Sequence, residues 1–154
     1  MIADPTVFAA VFSAYFAAHQ VGDHWMQTSC QAATKGGTGW SARTACARHV
    51  ASLVITKLMF AAPVVLLLGL SVHPLAATAG LAVIALSHYW ADRRTTLARL
   101  ADRLGLGGFY RLGSPRPGHD DNPSLGTGAY ALDQSWHIAF LFVGALITAI
   151  GGAS

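Results

Sequence analysis

Four apolar stretches dominate the chain: PTVFAAVFSAYFAAHQVG (5–22), ASLVITKLMFAAPVVLLLGLSV (51–72), PLAATAGLAVIALSHYWA (74–91) and SWHIAFLFVGALITAIGG (135–152). Each is close to the ~20 residues that cross a bilayer core of roughly 30 Å. Backbone groups in lipid must bond within their own segment, so each stretch predicts a helix. With their polar ends included, the helices are expected over about 5–27, 43–72, 74–104 and 129–152, with a Gly-, Pro-, Ser- and Asp-rich loop over 105–128. The expected fold class is all-α: a polytopic membrane protein, one domain over 1–154, built as a four-transmembrane-helix bundle. Past its apolar part, the third helix carries Leu97, Leu100 and Leu104 at helical spacing among arginines. That pattern predicts a cytoplasmic amphipathic extension of helix 3, lying on the bilayer surface or simply solvated.

Composition supports the membrane over a soluble helical core. Charged residues make up 11% of the chain and there is no glutamate, where a soluble domain averages roughly 25% charged residues. The start, MIADP, has no basic segment, so a cleaved signal peptide is not expected. Nine of the ten Lys and Arg residues fall in or beside the segments joining helices 1 to 2 and 3 to 4, while Ser71–Pro74 has none. The positive-inside rule then puts both long connections in the cytoplasm and both termini outside, in a multi-pass protein of the cell inner membrane.

Against this background a second pattern emerges: His and Asp four residues apart, as His19/Asp23, His88/Asp92 and Asp133/His137. Seven His and seven Asp in 154 positions give about 0.6 such pairs by chance. Residues at i and i+4 share a helix face, so each pair can offer two ligands to one point. The charge-derived topology places all three pairs, with His49 at the start of helix 2, at the cytoplasmic helix ends. Ionisable groups at such depths turn inward and pair. Two readings compete: a hydrogen-bonded network that only holds the helices together, and a metal site. Imidazole and carboxylate suit a divalent transition metal (Zn, Mn or Fe), and bundles build such sites from i,i+3 or i,i+4 ligands on facing helices. The candidate ligands are His19, Asp23, His49, His88, Asp92, Asp133 and His137, enough for one ion with supporting carboxylates or for two ions.

The motifs AAHQVGDHWMQT, RHVASLVITK, SHYWADRR and ALDQSWH, in this order, resemble those of a family of small bacterial and phage membrane proteins, domain-of-unknown-function family 3307. The matching positions are His19, Gly22, Asp23, Met26, Gln27, His49, His88, Asp92, Asp133, Gln134 and His137, spread over nearly the whole chain. The chain departs from the pattern at His24, where an aromatic residue is usual, and at Arg93-Arg94, where a Lys a few residues further on is usual. The resemblance implies no reaction. The layout is also loosely similar to that of membrane-bound metal-dependent hydrolases, a similarity of layout alone.

The remaining polar and aromatic residues are expected in supporting roles. His24 points about 100° away from Asp23 and is expected at the interface. Trp25, Trp40, Trp90 and Trp136 are expected as interface anchors, and His73 and His119 in solvent. Cys30 and Cys46 lack both a disulfide-forming compartment and paired ligand spacing. Lys57 is expected either to neutralise the carboxylates or to snorkel, and Gln27 and Gln134 to support the ligands.

Three functions follow. The first is a metal-dependent hydrolase, in which one of Asp23, Asp92 or Asp133 that is not a ligand serves as general base. The Arg-rich 93–116 segment would draw in an anionic small molecule or lipid headgroup, such as a phosphoester. The second is a non-catalytic membrane protein whose His/Asp network is structural and whose basic cytoplasmic face binds a partner. The third, a metal or proton transporter, is disfavoured because the outer halves of the helices carry almost no polar residues. No nucleic-acid recognition motif is present, and the pattern leaves the oligomeric state open.

Overall fold

The computed structural model describes residues 2–115, 118 and 126–152. His119 and Arg116, both considered above, lie outside the described residues. The elements are α1 (Pro5–Val21), a π-helical turn (Gly22–Met26), α2 (Ser29–Thr34), α3 (Gly39–Leu67), α4 (Pro74–Asp92), α5 (Thr95–Arg103), α6 (Gly107–Tyr110) and α7 (Gly128–Thr148). Among the described residues there is no β-strand, only an isolated bridge between Ala3 and Ile150.

Two of the long helices, α1 and α7, start at side-chain caps. Asp4 accepts from Thr6 N–H at 2.8 Å and Val7 N–H at 2.9 Å, with Pro5 in the first turn of α1. Thr127 caps α7 through Tyr130 N–H at 3.2 Å. Such caps satisfy amide donors that a helix start leaves unpaired. Three helices, α3, α4 and α7, are long and apolar enough to cross a membrane. α1, with 17 residues, is shorter and is prolonged by the π turn.

Polarity is arranged inside out relative to a soluble domain. Leu66, Leu67, Leu75 and Leu86 are between 71% and 85% exposed, while His19, His49 and Lys57 are fully buried. Leucines facing outward along several helices fit a lipid surround, and ionisable groups in such helices turn inward.

Packing concentrates on α4 against α7, with α1 lying on α3 and α7, and α3 on α4. A side chain on Gly80 would collide with the Gly144 carbonyl and the Thr148 hydroxyl. A Cβ on Gly144 would sit 2.8 Å from the Gly80 carbonyl. Small residues are what let two such backbones approach. Val7, Val11, Tyr15, Ile84 and Leu141 fill the apolar core beside this crossing. Asp4 N–H bonds to the Ala149 carbonyl at 3.0 Å, and a Cβ on Gly152 would come within 2.8 Å of Ser71 O. Both chain ends and the α3–α4 turn therefore gather at one end. The far end collects the last turns of α1 and α4 and the first turns of α3 and α7.

At that far end the structure departs from the expected outline. The third helix does not run unbroken to 104: α4 stops at Asp92 and α5 starts at Thr95. Between them Arg94 adopts φ 52°, the one positive φ among the described non-glycine residues. The break is tertiary in origin. The Arg93 guanidinium donates to the carbonyls of Lys35 and Gly37, and Arg94 to that of Ala32 at 3.2 Å. These contacts strap the α2 segment across the end of α4. The short α2 was also not foreseen, although its Thr28/Gln31 capping box is a readable start signal. The expected 105–128 loop contains the four-residue α6.

Gly80→Leu should force α4 and α7 apart and destabilise the protein by about 1–3 kcal/mol, the usual cost of overpacking. A thermal melt of the detergent-solubilised variant reads this as a lowered midpoint; an unchanged midpoint would contradict the close crossing.

Candidate metal centre

Each candidate ligand reaches the far end of the bundle by a different route. His19 is in the last turn of α1 and Asp23 in the π turn that follows it. A π turn widens the helix by one residue and recurs at functional sites. Here it is seated by Gly22, whose Cβ would lie 3.2 Å from the Leu53 side chain. His49 comes from α3, His88 and Asp92 from the last turns of α4, and His137 with Asp133 from the start of α7.

The structure brings all seven together. His49 Nε2 lies 3.0 Å from Asp23 Oδ1, 3.4 Å from Asp92 Oδ2 and 3.1 Å from His88 Nε2. His88 Nε2 is 3.2 Å from Asp92 Oδ2 and 3.5 Å from Asp23 Oδ1. His19 Nε2 is 3.6 Å from Asp23 Oδ2, and His137 Nε2 is 3.4 Å from Asp133 Oδ1 and 3.9 Å from Asp92 Oδ1. The rings of His88 and His137 stack with centroids 3.8 Å apart. The four imidazoles and Asp92 are buried, whereas the Asp133 side chain is 28% exposed.

One of these approaches, His49 Nε2 to His88 Nε2, is a hydrogen bond, and several other polar atoms of the cluster have none. Asp23 Oδ1, Asp92 Oδ2 and both ring nitrogens of His19 and of His137 lack a hydrogen-bond partner, although none is open to solvent. With neutral imidazoles, protons satisfy only part of the centre. A neutral imidazole carries one N–H, and His49 Nε2 and His88 Nε2 face each other while each also faces two carboxylates. Three groups of ligand atoms lie close enough to hold an ion: His19, Asp23 and His88; His49, His88 and Asp92; and Asp92, Asp133 and His137. His88 and Asp92 each belong to two of them.

One lysine pairs directly with a carboxylate of the cluster, and sequence spacing did not point to it. Lys35 Nζ is 2.8 Å from Asp92 Oδ1. It comes from the strapped α2 segment, 57 residues away in the chain, and no local spacing signals that pairing. Lys57 does not snorkel: it is fully buried and its Nζ has no hydrogen-bond partner. One turn of α3 is 5.4 Å, and eight residues separate it from His49, so its stem cannot reach the helix end and stays in the interior. Gln134 Nε2 donates to Asp133 Oδ2 at 3.4 Å, while Gln27 Nε2 is buried without a partner.

Residues expected outside the centre lie outside it. His24 bonds through Nδ1 to the Gln20 carbonyl at 2.9 Å and sits 3.4 Å from the Tyr130 hydroxyl. His73 is exposed at the start of α4. Cys30 is exposed and Cys46 buried, both as free thiols. Trp25 and Trp40 are 84% and 76% exposed. Trp90 and Trp136 instead stack on each other at 4.7 Å.

A cavity of about 670 Å³ opens beside the cluster, reaching Asp23, Asp92 and Asp133. Lys35, Arg94 and Tyr110 also line it. Burial raises the Tyr110 phenol above its ordinary pKa; the Asp133 carboxylate adds to the rise and Arg94 opposes it. Tyr110 therefore stays a neutral donor at physiological pH.

Among curated proteins nothing matches the chain, and among solved structures nothing matches it either. A family model described as "Protein of unknown function (DUF3307)" matches residues 11–152, a span that includes every His and Asp of the cluster. The chain belongs to that family.

Proposed function

We propose that the protein is a membrane-embedded, metal-binding hydrolase of anionic phosphoesters. The observation that carries the metal is the convergence of buried imidazole nitrogens and carboxylate oxygens at 3.0–3.6 Å, with several of these atoms left without a hydrogen-bond partner. Ligands gathered around a shared ion would give such a cluster. The ligand chemistry, nitrogen and oxygen without thiolate, suits Zn, Mn or Fe. His19, Asp23, His49, His88, Asp92 and His137 would hold one or two ions, with His88 and Asp92 at the junction of the ligand groups. A bound divalent ion supplies Lewis acidity and a water that ionises near neutral pH.

Asp133 is the general base on this reading, because it is the most exposed of the three carboxylates and lines the cavity. It takes a proton from water as the water oxygen bonds to phosphorus. The ester P–O bond then breaks, and the alcohol leaves with the proton that Asp133 gives up. Gln134 at 3.4 Å orients the carboxylate.

The same reading makes α1, α3, α4 and α7 a four-helix membrane bundle in the cell inner membrane. Both long connections would be cytoplasmic and both termini outside, with α5 as an interfacial extension. It is supported by the outward leucines, the clustering of arginine at one end of the bundle and the positive-inside rule. Reporter fusions test it: a phosphatase that is active only outside should be active on either terminus and silent after Gly113. Activity after Gly113 would reverse the orientation.

Metal analysis of detergent-purified protein should find one or two divalent ions per chain. Asp92→Ala should abolish binding. Asp133→Asn should keep the metal but lose ~10²-fold or more of any phosphoesterase turnover, the scale of a general base. Wild type with no metal above background would refute the metal. Metal bound with no turnover on mono- and diester panels would refute the hydrolase and favour a structural centre whose basic face serves a partner.

A further inference from the structure

We infer that Arg94 is the residue that grips the substrate's phosphoryl group in the cavity beside the cluster, an inference that rests on the phosphoester reading above. The cavity, about 670 Å³, falls in the ~300–1,000 Å³ range of small-molecule sites. It therefore suits a headgroup or a single phosphoester better than a polymer. Its lining carries two cationic side chains, Lys35 and Arg94. Lys35 is committed to Asp92 at 2.8 Å and is only 11% exposed. Arg94 is exposed and, among the described residues, makes one hydrogen bond, Nη2 to the Ala32 carbonyl at 3.2 Å. A guanidinium has five N–H donors in a fixed fork, so an edge remains that matches two oxygens of a phosphate.

Arg94 is also held in place by its surroundings. Its φ of 52° is a sparsely populated conformation for a residue with a side chain, of the kind that collects at functional sites. Its stem lies across Gly36: a Cβ there would come within 2.6 Å of Arg94 Cδ and 2.9 Å of Cγ. Gly36 has no positive φ, so what it supplies is room for the arginine. Arg93, one residue earlier, anchors the same strap through the Lys35 and Gly37 carbonyls. Backbone, glycine and strap together fix one guanidinium at the cavity wall.

The ligand class follows from charge and shape. Asp23, Asp92 and Asp133 make the cavity floor acidic, so an anion enters only when a cation offsets them. A carboxylate gripped by both oxygens has none left to reach the cluster. A phosphoryl group offers two oxygens to Arg94 and still turns others toward the His/Asp centre.

The test is calorimetric titration of inorganic phosphate into detergent-purified protein, with metal content measured on the same samples. Metal-loaded wild type should bind phosphate and lose it on chelation. Arg94→Ala should weaken binding at least ~10-fold, the scale of a lost charge-assisted pair, with metal content unchanged. Gly36→Ala, which leaves every charge in place, should weaken it by moving the arginine stem. Equal binding by wild type and Arg94→Ala, or no binding by metal-loaded wild type, overturns the inference and leaves the metal centre standing. Arg94-dependent binding by a chain that holds no metal supports the anion site and overturns the metal centre instead. Arg94→Lys keeps the charge without the fork and guards against misfolding of the alanine variant: it should fold and bind weakly, and full affinity would overturn the bidentate grip. Competition by glycerol phosphate, compared with phosphatidic acid in nanodiscs, separates a soluble ester from a lipid one; displacement by neither overturns the inference.

Discussion

Three carboxylates and four imidazoles share one end of a bundle that exposes many large apolar side chains, leucine foremost. Desolvating an ionised carboxylate costs several kcal/mol even after relaxation, and this arrangement concentrates that cost in one place. The rest of the molecule is organised around offsetting it. Lys35 is brought 57 residues along the chain to lie 2.8 Å from Asp92. The π turn after α1 carries Asp23 into the group. The close Gly80–Gly144 crossing keeps α4 against α7, so that His88 and His137 stack at 3.8 Å. On our reading the largest compensation is a divalent cation, whose charge would offset the carboxylates and engage several lone pairs at once.

The centre divides the molecule into regions with different roles. The end that joins both termini to the α3–α4 turn is apolar and closed by backbone bonds. The opposite end holds the cluster, the strap over α4 and the cavity, and nearly all the basic residues. On our reading a site gathered mainly at one end serves chemistry at a membrane surface rather than passage across it. Conduction would need such groups to continue through the apolar core of Val7, Val11, Ile84 and Leu141.

Much of this can be read in the sequence because helical periodicity is local. The pairs at i and i+4 announce themselves, and the four apolar runs mark the helices that carry them. His24, adjacent to Asp23 but a third of a turn away, could be set aside on geometry alone. What could not be read depends on contacts between distant segments. The break at Arg94 has no proline or glycine to mark it and exists because Arg93 and Arg94 bond to carbonyls near residue 35. The same strap delivers Lys35 to Asp92. Of the two roles open to Lys57, neutralising the carboxylates or snorkelling, its full burial removes the second, and that burial depends on how the helices pack around it. The Trp90–Trp136 stack likewise depends on the α4–α7 packing, where interface preference alone suggested two separate anchors.

The central claim is that the His/Asp cluster itself is a metal centre of nitrogen and oxygen ligands. X-ray absorption at the metal edge of the loaded protein addresses it most directly. The account predicts a first shell of light atoms at ~2.0–2.2 Å with the outer-shell pattern of several imidazoles, lost in His88→Ala. A sulfur shell at ~2.3 Å would place the ion on a cysteine instead, and that result, or a spectrum unchanged in His88→Ala, would contradict it.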